Sequence, residues 1–132
     1  MVDGRIKQET ALHAFLAALI AVGVAWLIKE IWPVPRPFMI NHLAVQTITT
    51  PLNGSFPSQH AAAAFALAAS VWLHNRKIGW GFIAGAVLVG WARIWANVHY
   101  PIDIVAGAIL GSLVAVAVDR LHVFAALKKK RS

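Results

Sequence analysis

Three short stretches carry the residue types that can do chemistry: KEIWPVPRP (29–37), FPSQH (56–60) and ARIWANVHYPID (92–103). Between them they hold three cations, Lys29, Arg36 and Arg93, two histidines, His60 and His99, one carboxylate, Asp103, and Ser58. Three cations around two imidazoles make a pocket for an anion with several negative oxygens. Phosphate fits better than a carboxylate, because guanidinium groups grip phosphate through paired hydrogen bonds and three cations would over-neutralise a single carboxylate.

In VHYPID, Pro101 suits the first turn of a helix, where its missing N–H costs nothing. His99 then lies just before that helix and Asp103 in its first turn, within reach of a hydrogen bond from the imidazole. Such a bond fixes the tautomer, leaves the other ring nitrogen unprotonated and stabilises the ring as it gains charge, as a nucleophilic histidine requires. The plainer alternative is that Asp103 only complements the helix dipole. In FPSQH, Ser58 is placed to cap a helix whose N-terminal amides form an anion site, with His60 in the first turn. For the serine alone, simple capping is the stronger reading. Two histidines and an aspartate could also suggest zinc, but three nearby cations oppose a divalent metal, so no metal and no cofactor is expected.

The elements that must position these residues are apolar. Of 132 residues, 59% are hydrophobic and 13% charged, with a mean hydropathy of +0.66, against about 25% charged in soluble domains. A soluble domain of this size could not hide that much apolar surface, so a bilayer is expected. Cysteine is absent, which excludes disulfides, thiolate metal sites and cysteine nucleophiles. From the polar start MVDGRIKQET followed by a long apolar run, no cleavable signal is expected, and the first span is expected to serve as its own insertion signal.

Four apolar segments stand out, at 11–31, 58–73, 78–95 and 101–118. The expected fold is all-α: a single domain over 1–132, a polytopic membrane helix bundle of about four transmembrane helices. The second segment is marginal for a hydrocarbon core of about 30 Å. Residues 33–57, with Pro33, Pro35, Pro37, Pro51 and Asn53-Gly54, read as loop with a short interfacial helix around 39–47.

Nine of the twelve Lys and Arg residues lie before the first span, between the second and third, or after the fourth. Four spans put those regions on one side, which the positive-inside rule makes the cytoplasm, with both termini there. Lys29, Arg36 and Arg93 fall at the opposite, outer boundary. Interfacial snorkelling accounts for one such cation and less readily for three.

The three stretches resemble the signature of the type 2 phosphatidic acid phosphatase superfamily: Lys, six residues, Arg-Pro; then Pro-Ser-Gly-His; then Ser-Arg, five residues, His, three residues, Asp. Here they read K29-EIWPVP-R36-P37, P57-S58-Q59-H60 and A92-R93-IWANV-H99-YPI-D103, with Gln59 in place of Gly and Ala92 in place of Ser. The neighbourhoods RPF, SFPSxHA and ARxxxxVHYPxD are most similar to bacterial undecaprenyl-diphosphate phosphatases, which implies cell-wall biogenesis. The resemblance implies a metal-independent lipid phosphatase in which His99 attacks phosphorus to give a phosphohistidine, Asp103 orients it and His60 protonates the leaving oxygen. It further implies that Lys29, Arg36, Ser58, Gln59 and Arg93 hold the phosphate oxygens. Members commonly have six spans, so this chain is short for the superfamily.

The expected substrate is undecaprenyl diphosphate, cleaved to the monophosphate on the outer face of a bacterial plasma membrane, with Trp32, Phe38, Trp91 and Trp95 at the lipid boundary. The expected partners are a lipid phosphate and the membrane, with no nucleic acid. Three alternatives stay open. The substrate could be phosphatidylglycerol phosphate or phosphatidic acid. The chain could be a non-catalytic anion binder or a transporter, although a transporter should carry its charges near mid-membrane. A homo-oligomer or a partner subunit could complete a short bundle.

Overall fold

The structure, a computed structural model, describes residues 4–131. The described residues form five helices and no strand: α1 Gly4–Ile31, α2 Pro37–Asn41, α3 Gln59–His74, α4 Arg76–Trp95 and α5 Pro101–Arg131. The all-helical expectation holds. The first three residues of the polar start lie outside the described residues.

Helix boundaries follow from local chemistry. The Ser58 side chain accepts a hydrogen bond from the N–H of Ala61 at 3.2 Å, and this cap starts α3. Asn75 ends α3 and starts α4, its side chain accepting from the N–H of Ile78 at 3.2 Å. After α4 the chain turns at Asn97, whose φ of 64° is a left-handed conformation that asparagine tolerates. Pro101 then occupies the first position of α5.

The short helix differs from expectation. It spans Pro37–Asn41 rather than 39–47, because Pro37 sets its first turn and His42, at φ 57°, ends it in the left-handed region. Residues 42–58 contain no helix. They are tied instead to the α4–α5 connection, through Gln46 N–H to Ala96 O at 3.2 Å, and a reciprocal amide pair joins Asn41 to Asn97 at 2.8 and 3.0 Å.

α3 sits at the centre, packed on α1, α4 and α5, while α1 also meets α5. The core they share is built from small residues: Ala17, Ala21 and Ala25 of α1, Ala62 and Ala66 of α3, and Ala115 and Val118 of α5. Small residues four apart let helix backbones approach closely, the usual basis of packing where lipid removes the hydrophobic drive between helices. Gly107 and Gly111 of α5 take this furthest: a Cβ on Gly107 would lie 2.6 Å from Ser58 O, and one on Gly111 would collide with Ala62 O. The outward faces carry large apolar side chains, among them Phe15, Leu19, Trp26, Leu88, Trp91, Ile109 and Leu113.

Among the described residues, three helices are long and apolar enough to cross a membrane: Gln8–Ile31 within α1, α4 and α5. α3 is the exception to the expected four. Its 16 residues extend about 24 Å, short of a hydrocarbon core of about 30 Å.

Candidate functional site

The C-terminal ends of α1 and α4 and the N-terminal ends of α3 and α5 meet at one end of the bundle, beneath the 33–58 loop. A cavity of about 510 Å³ opens there, lined by Lys29, Arg36, Asn53, Gln59, His60, Arg93 and His99, with loop residues Gln46–Thr49 and Pro51. Residues separated by up to 70 positions in sequence are thereby brought around one space.

His99 stands at the base of this cavity, 3% exposed. Its Nδ1 lies 3.3 Å from Asp103 Oδ2, and its Nε2 lies 3.2 Å from Arg36 Nη1. A guanidinium can only donate, so Nε2 must accept and carry no proton. Nδ1–H then donates to Asp103, and the two partners together fix the tautomer. Burial lowers the His99 pKa below its usual value of 6.5; Arg36 and Lys29 act in the same direction and the Asp103 hydrogen bond opposes them. At neutral pH the ring is uncharged, with its Nε2 lone pair on the Arg36 side.

Asp103 is held as firmly as it holds. Its Oδ2 accepts from Ser55 Oγ, from the Tyr100 N–H at 2.8 Å and from His99. The Asp103 carbonyl accepts from the Ser58 N–H at 3.1 Å, which locks the start of α3 to the start of α5. The close approach of Gly107 to Ser58 O makes this junction geometrically available.

Two of the three cations are buried, which separates them from snorkelling surface residues: Lys29 is 2% and Arg36 3% exposed, while Arg93 is half-buried. Lys29 Nζ donates to Gly54 O at 2.9 Å. Arg36 donates to Asn53 O, Asn53 Oδ1, Gly54 O and Val98 O at 2.8–3.2 Å, in addition to His99. Burial, with Arg93 nearby, lowers the Arg36 pKa to about 10, which leaves it charged at neutral pH. Arg93 reaches the cavity from the end of α4, and its buried Nε has no hydrogen-bond partner.

Of the residues expected at the site, Lys29, Arg36, Gln59, His60, Arg93 and His99 line the cavity. Asp103 lies behind His99. Ser58 is fully buried and spends its hydroxyl on the α3 cap, so its side chain is outside the lining. Two residues that sequence reasoning passed over belong to the site: Ser55, which donates to Asp103, and Asn53, which meets Arg36 through both its backbone and its side chain. Asn53-Gly54 was legible as a turn and gave no sign that its carbonyls would receive two cations.

A family model described as the PAP2 superfamily matches residues 10–126. The chain is 35% identical over 108 residues to undecaprenyl-diphosphatase BcrC of Bacillus subtilis, covering 82% of this chain and 53% of that protein. It is 37% identical over 117 residues to the decaprenylphosphoryl-5-phosphoribose phosphatase of Mycobacterium tuberculosis, covering 86% of this chain and 62% of that one. The chain thus spans little more than half the length of these relatives. Among solved structures, LpxE of Aquifex aeolicus superposes with a TM-score of 0.70 at 28% identity, over 86% of this chain and 68% of that chain. With nearly the whole chain matched, and with the motif residues gathered around one cavity, the protein belongs to the PAP2 superfamily.

Proposed function

We propose that this protein is a membrane lipid phosphatase that hydrolyses a polyprenyl diphosphate, undecaprenyl diphosphate first among them, to the monophosphate. The observation that carries the reading is the state of His99: an unprotonated Nε2 at the base of a cavity ringed by Lys29, Arg36 and Arg93, backed by a buried carboxylate on the other ring nitrogen.

The terminal phosphate enters between the three cations and takes over the Arg36 Nη1 hydrogen bond, freeing Nε2. His99 Nε2 attacks phosphorus in line, the N–P bond forms, and the bond to the bridging oxygen breaks. Protonated His60 gives its proton to that departing oxygen. Asp103 and Ser55 keep Nδ1–H oriented while the ring becomes cationic. Neutral His60 then takes a proton from water as it attacks phosphorus, the N–P bond breaks, and inorganic phosphate leaves. Lys29, Arg36, Arg93, Gln59 and the N-terminal amides of α3 hold the equatorial oxygens, with Ser58 acting through the helix start it caps. The cations thus carry the electrostatic part of the chemistry.

The substrate class rests on chemistry and on likeness. A phosphate pocket at the end of apolar helices admits a headgroup whose tail stays in lipid, and two relatives are named for phosphatases of polyprenyl lipids. In this reading α3 completes a fourth, short crossing shielded by α1, α4 and α5. The termini lie in the cytoplasm and the pocket on the outer face of a bacterial plasma membrane.

The test is phosphate release by the purified protein, in EDTA, from polyprenyl diphosphate, phosphatidylglycerol phosphate and phosphatidic acid. Preference for the polyprenyl diphosphate, lost in His99→Ala, is the expected outcome. Undiminished release by His99→Ala would overturn the mechanism, preference for another lipid would overturn the substrate, and no release from any would leave an anion binder.

A further inference from the structure

The end of the bundle opposite the phosphate pocket holds a second cluster of ligating groups. His13 of α1, His74 of α3 and Asp119 of α5 bring one ring nitrogen from each histidine and one Asp119 carboxylate oxygen within 4.8 Å of one another. On the same three helices they stand about 21–24 Å from Lys29, His60 and Asp103, at a helical rise of about 1.5 Å per residue. We propose that this cluster is a binding site for one borderline divalent transition-metal cation, such as Zn²⁺, which ties α1, α3 and α5 together.

The hydrogen bonding of His74 carries the argument. Its Nδ1–H donates to the carbonyl of Ser70, one turn back on α3, at 2.7 Å. In the neutral ring the opposite nitrogen, Nε2, keeps its lone pair. That lone pair faces His13 Nδ1 at 3.3 Å and Asp119 Oδ1 at 3.8 Å. A proton on His13 Nδ1 would satisfy the first pair only and leave a carboxylate oxygen facing a lone pair. A cation between them satisfies all three. A ligating histidine whose other nitrogen is fixed by a backbone carbonyl is the usual outer arrangement of such sites.

Distances fit a small ion. Tetrahedral zinc with ligands at about 2.0–2.1 Å sets its ligand atoms about 3.3–3.4 Å apart. The two imidazole nitrogens already have this spacing, and a small rotation of the Asp119 carboxylate supplies the third. His122 follows Asp119 by three residues on the same helix face, and its ring centroid is 4.5 Å from that of His13. A side-chain rotation at His122 would offer a fourth nitrogen from this distance. Imidazole and carboxylate together select zinc and its neighbours over Mg²⁺ or Ca²⁺. His74 and Asp119 remain 20% and 31% exposed, so the cluster is open to an ion. The cluster does not use the phosphate pocket, and it stands whether or not the proposed function does.

The experiment titrates Zn²⁺ alone into the full 132-residue chain, in detergent and with any affinity tag removed, by calorimetry, and follows thermal unfolding with and without the ion. One equivalent of Zn²⁺ binds and raises the unfolding temperature, because a ligand of the folded state stabilises it by mass action. His74→Ala and Asp119→Asn each weaken binding by at least about tenfold and remove the thermal shift. His99→Ala binds as the wild type does. Should His74→Ala fail to fold, Asp119→Asn and His13→Gln decide. No stoichiometric binding, binding indifferent to these substitutions, or binding lost in His99→Ala instead would overturn the proposal.

Discussion

At the residue scale, the site turns on how one imidazole is kept neutral and aimed. Arg36 and Asp103 engage opposite nitrogens of His99, so the tautomer follows from the fact that a guanidinium cannot accept a hydrogen bond. Because burial and the two cations hold the His99 pKa below 6.5, the neutral form that the proposed mechanism uses as nucleophile persists into mildly acidic solution. The acid limb of kcat/KM should therefore fall below pH 6.5. Asp103 raises that pKa, so Asp103→Asn should move the limb to still lower pH while cutting kcat, and a pH profile of both proteins reads this directly. Ser55→Ala removes one of three donors to the Asp103 oxygen. A hydrogen bond of about 1.5 kcal/mol to a charged group translates into a kcat about tenfold lower, with KM little changed. Ser55→Thr, which keeps the hydroxyl, should recover part of the loss. Ser55 was invisible beforehand because a serine in a loop has many ordinary uses and only the fold reveals that its hydroxyl faces Asp103.

At the element scale, the geometry of the proposed catalytic site depends on the contact between α3 and α5. Gly107 and Gly111 bring the two backbones together at Ser58 and Ala62, and the Ser58 N–H to Asp103 carbonyl bond fixes their relative height. Overpacking a tight contact costs about 1–3 kcal/mol, so Gly107→Ala and Gly111→Ala should each lower the unfolding temperature in detergent. Gly107→Ala should also reduce activity, since it pushes Ser58 away from Asp103. Gly85, where a Cβ would meet nothing within 4 Å, is the control: Gly85→Ala should leave stability unchanged or slightly raised. The alanine and glycine spacing on α1, α3 and α5 was present in the sequence. Which of these small residues face one another was not, because a stripe of small residues fits several helix pairings equally well.

At the scale of the whole molecule, the four helix ends around the pocket and the basic segments at the other end form a consistent polarity. Lys128, Lys129, Lys130 and Arg131 close α5, and Arg76 and Lys77 open α4. The proposed orientation can be read with single cysteines, since the chain has none. Thr49→Cys in the loop over the pocket should react with a membrane-impermeant maleimide in intact cells, and Lys128→Cys only after permeabilisation. The reverse pattern would invert the topology. α3 needs its neighbours to remain in the membrane, because it is too short to span alone and is surrounded by α1, α4 and α5. Its length, not its hydropathy, is what marked it as the marginal segment in the sequence.

The sequence by itself determined the chemistry available to this protein. The types and spacings of Lys29, Arg36, His60, Arg93, His99 and Asp103 are local facts of the chain. So are the Ser58 cap and the proline start of α5, because caps and first-turn prolines act within a few residues of themselves. Only the tertiary structure decided that Arg36 would spend its donors on Asn53, Gly54, Val98 and His99 at once, that Ser55 would reach Asp103, and that the short helix would stop at Asn41. It also decided that His13, His74 and Asp119 would meet at the far end. Apart from the end of the short helix, each of these joins residues distant in the chain, and their meeting depends on how closely the helices can approach, which the packing of small residues sets and no single segment encodes.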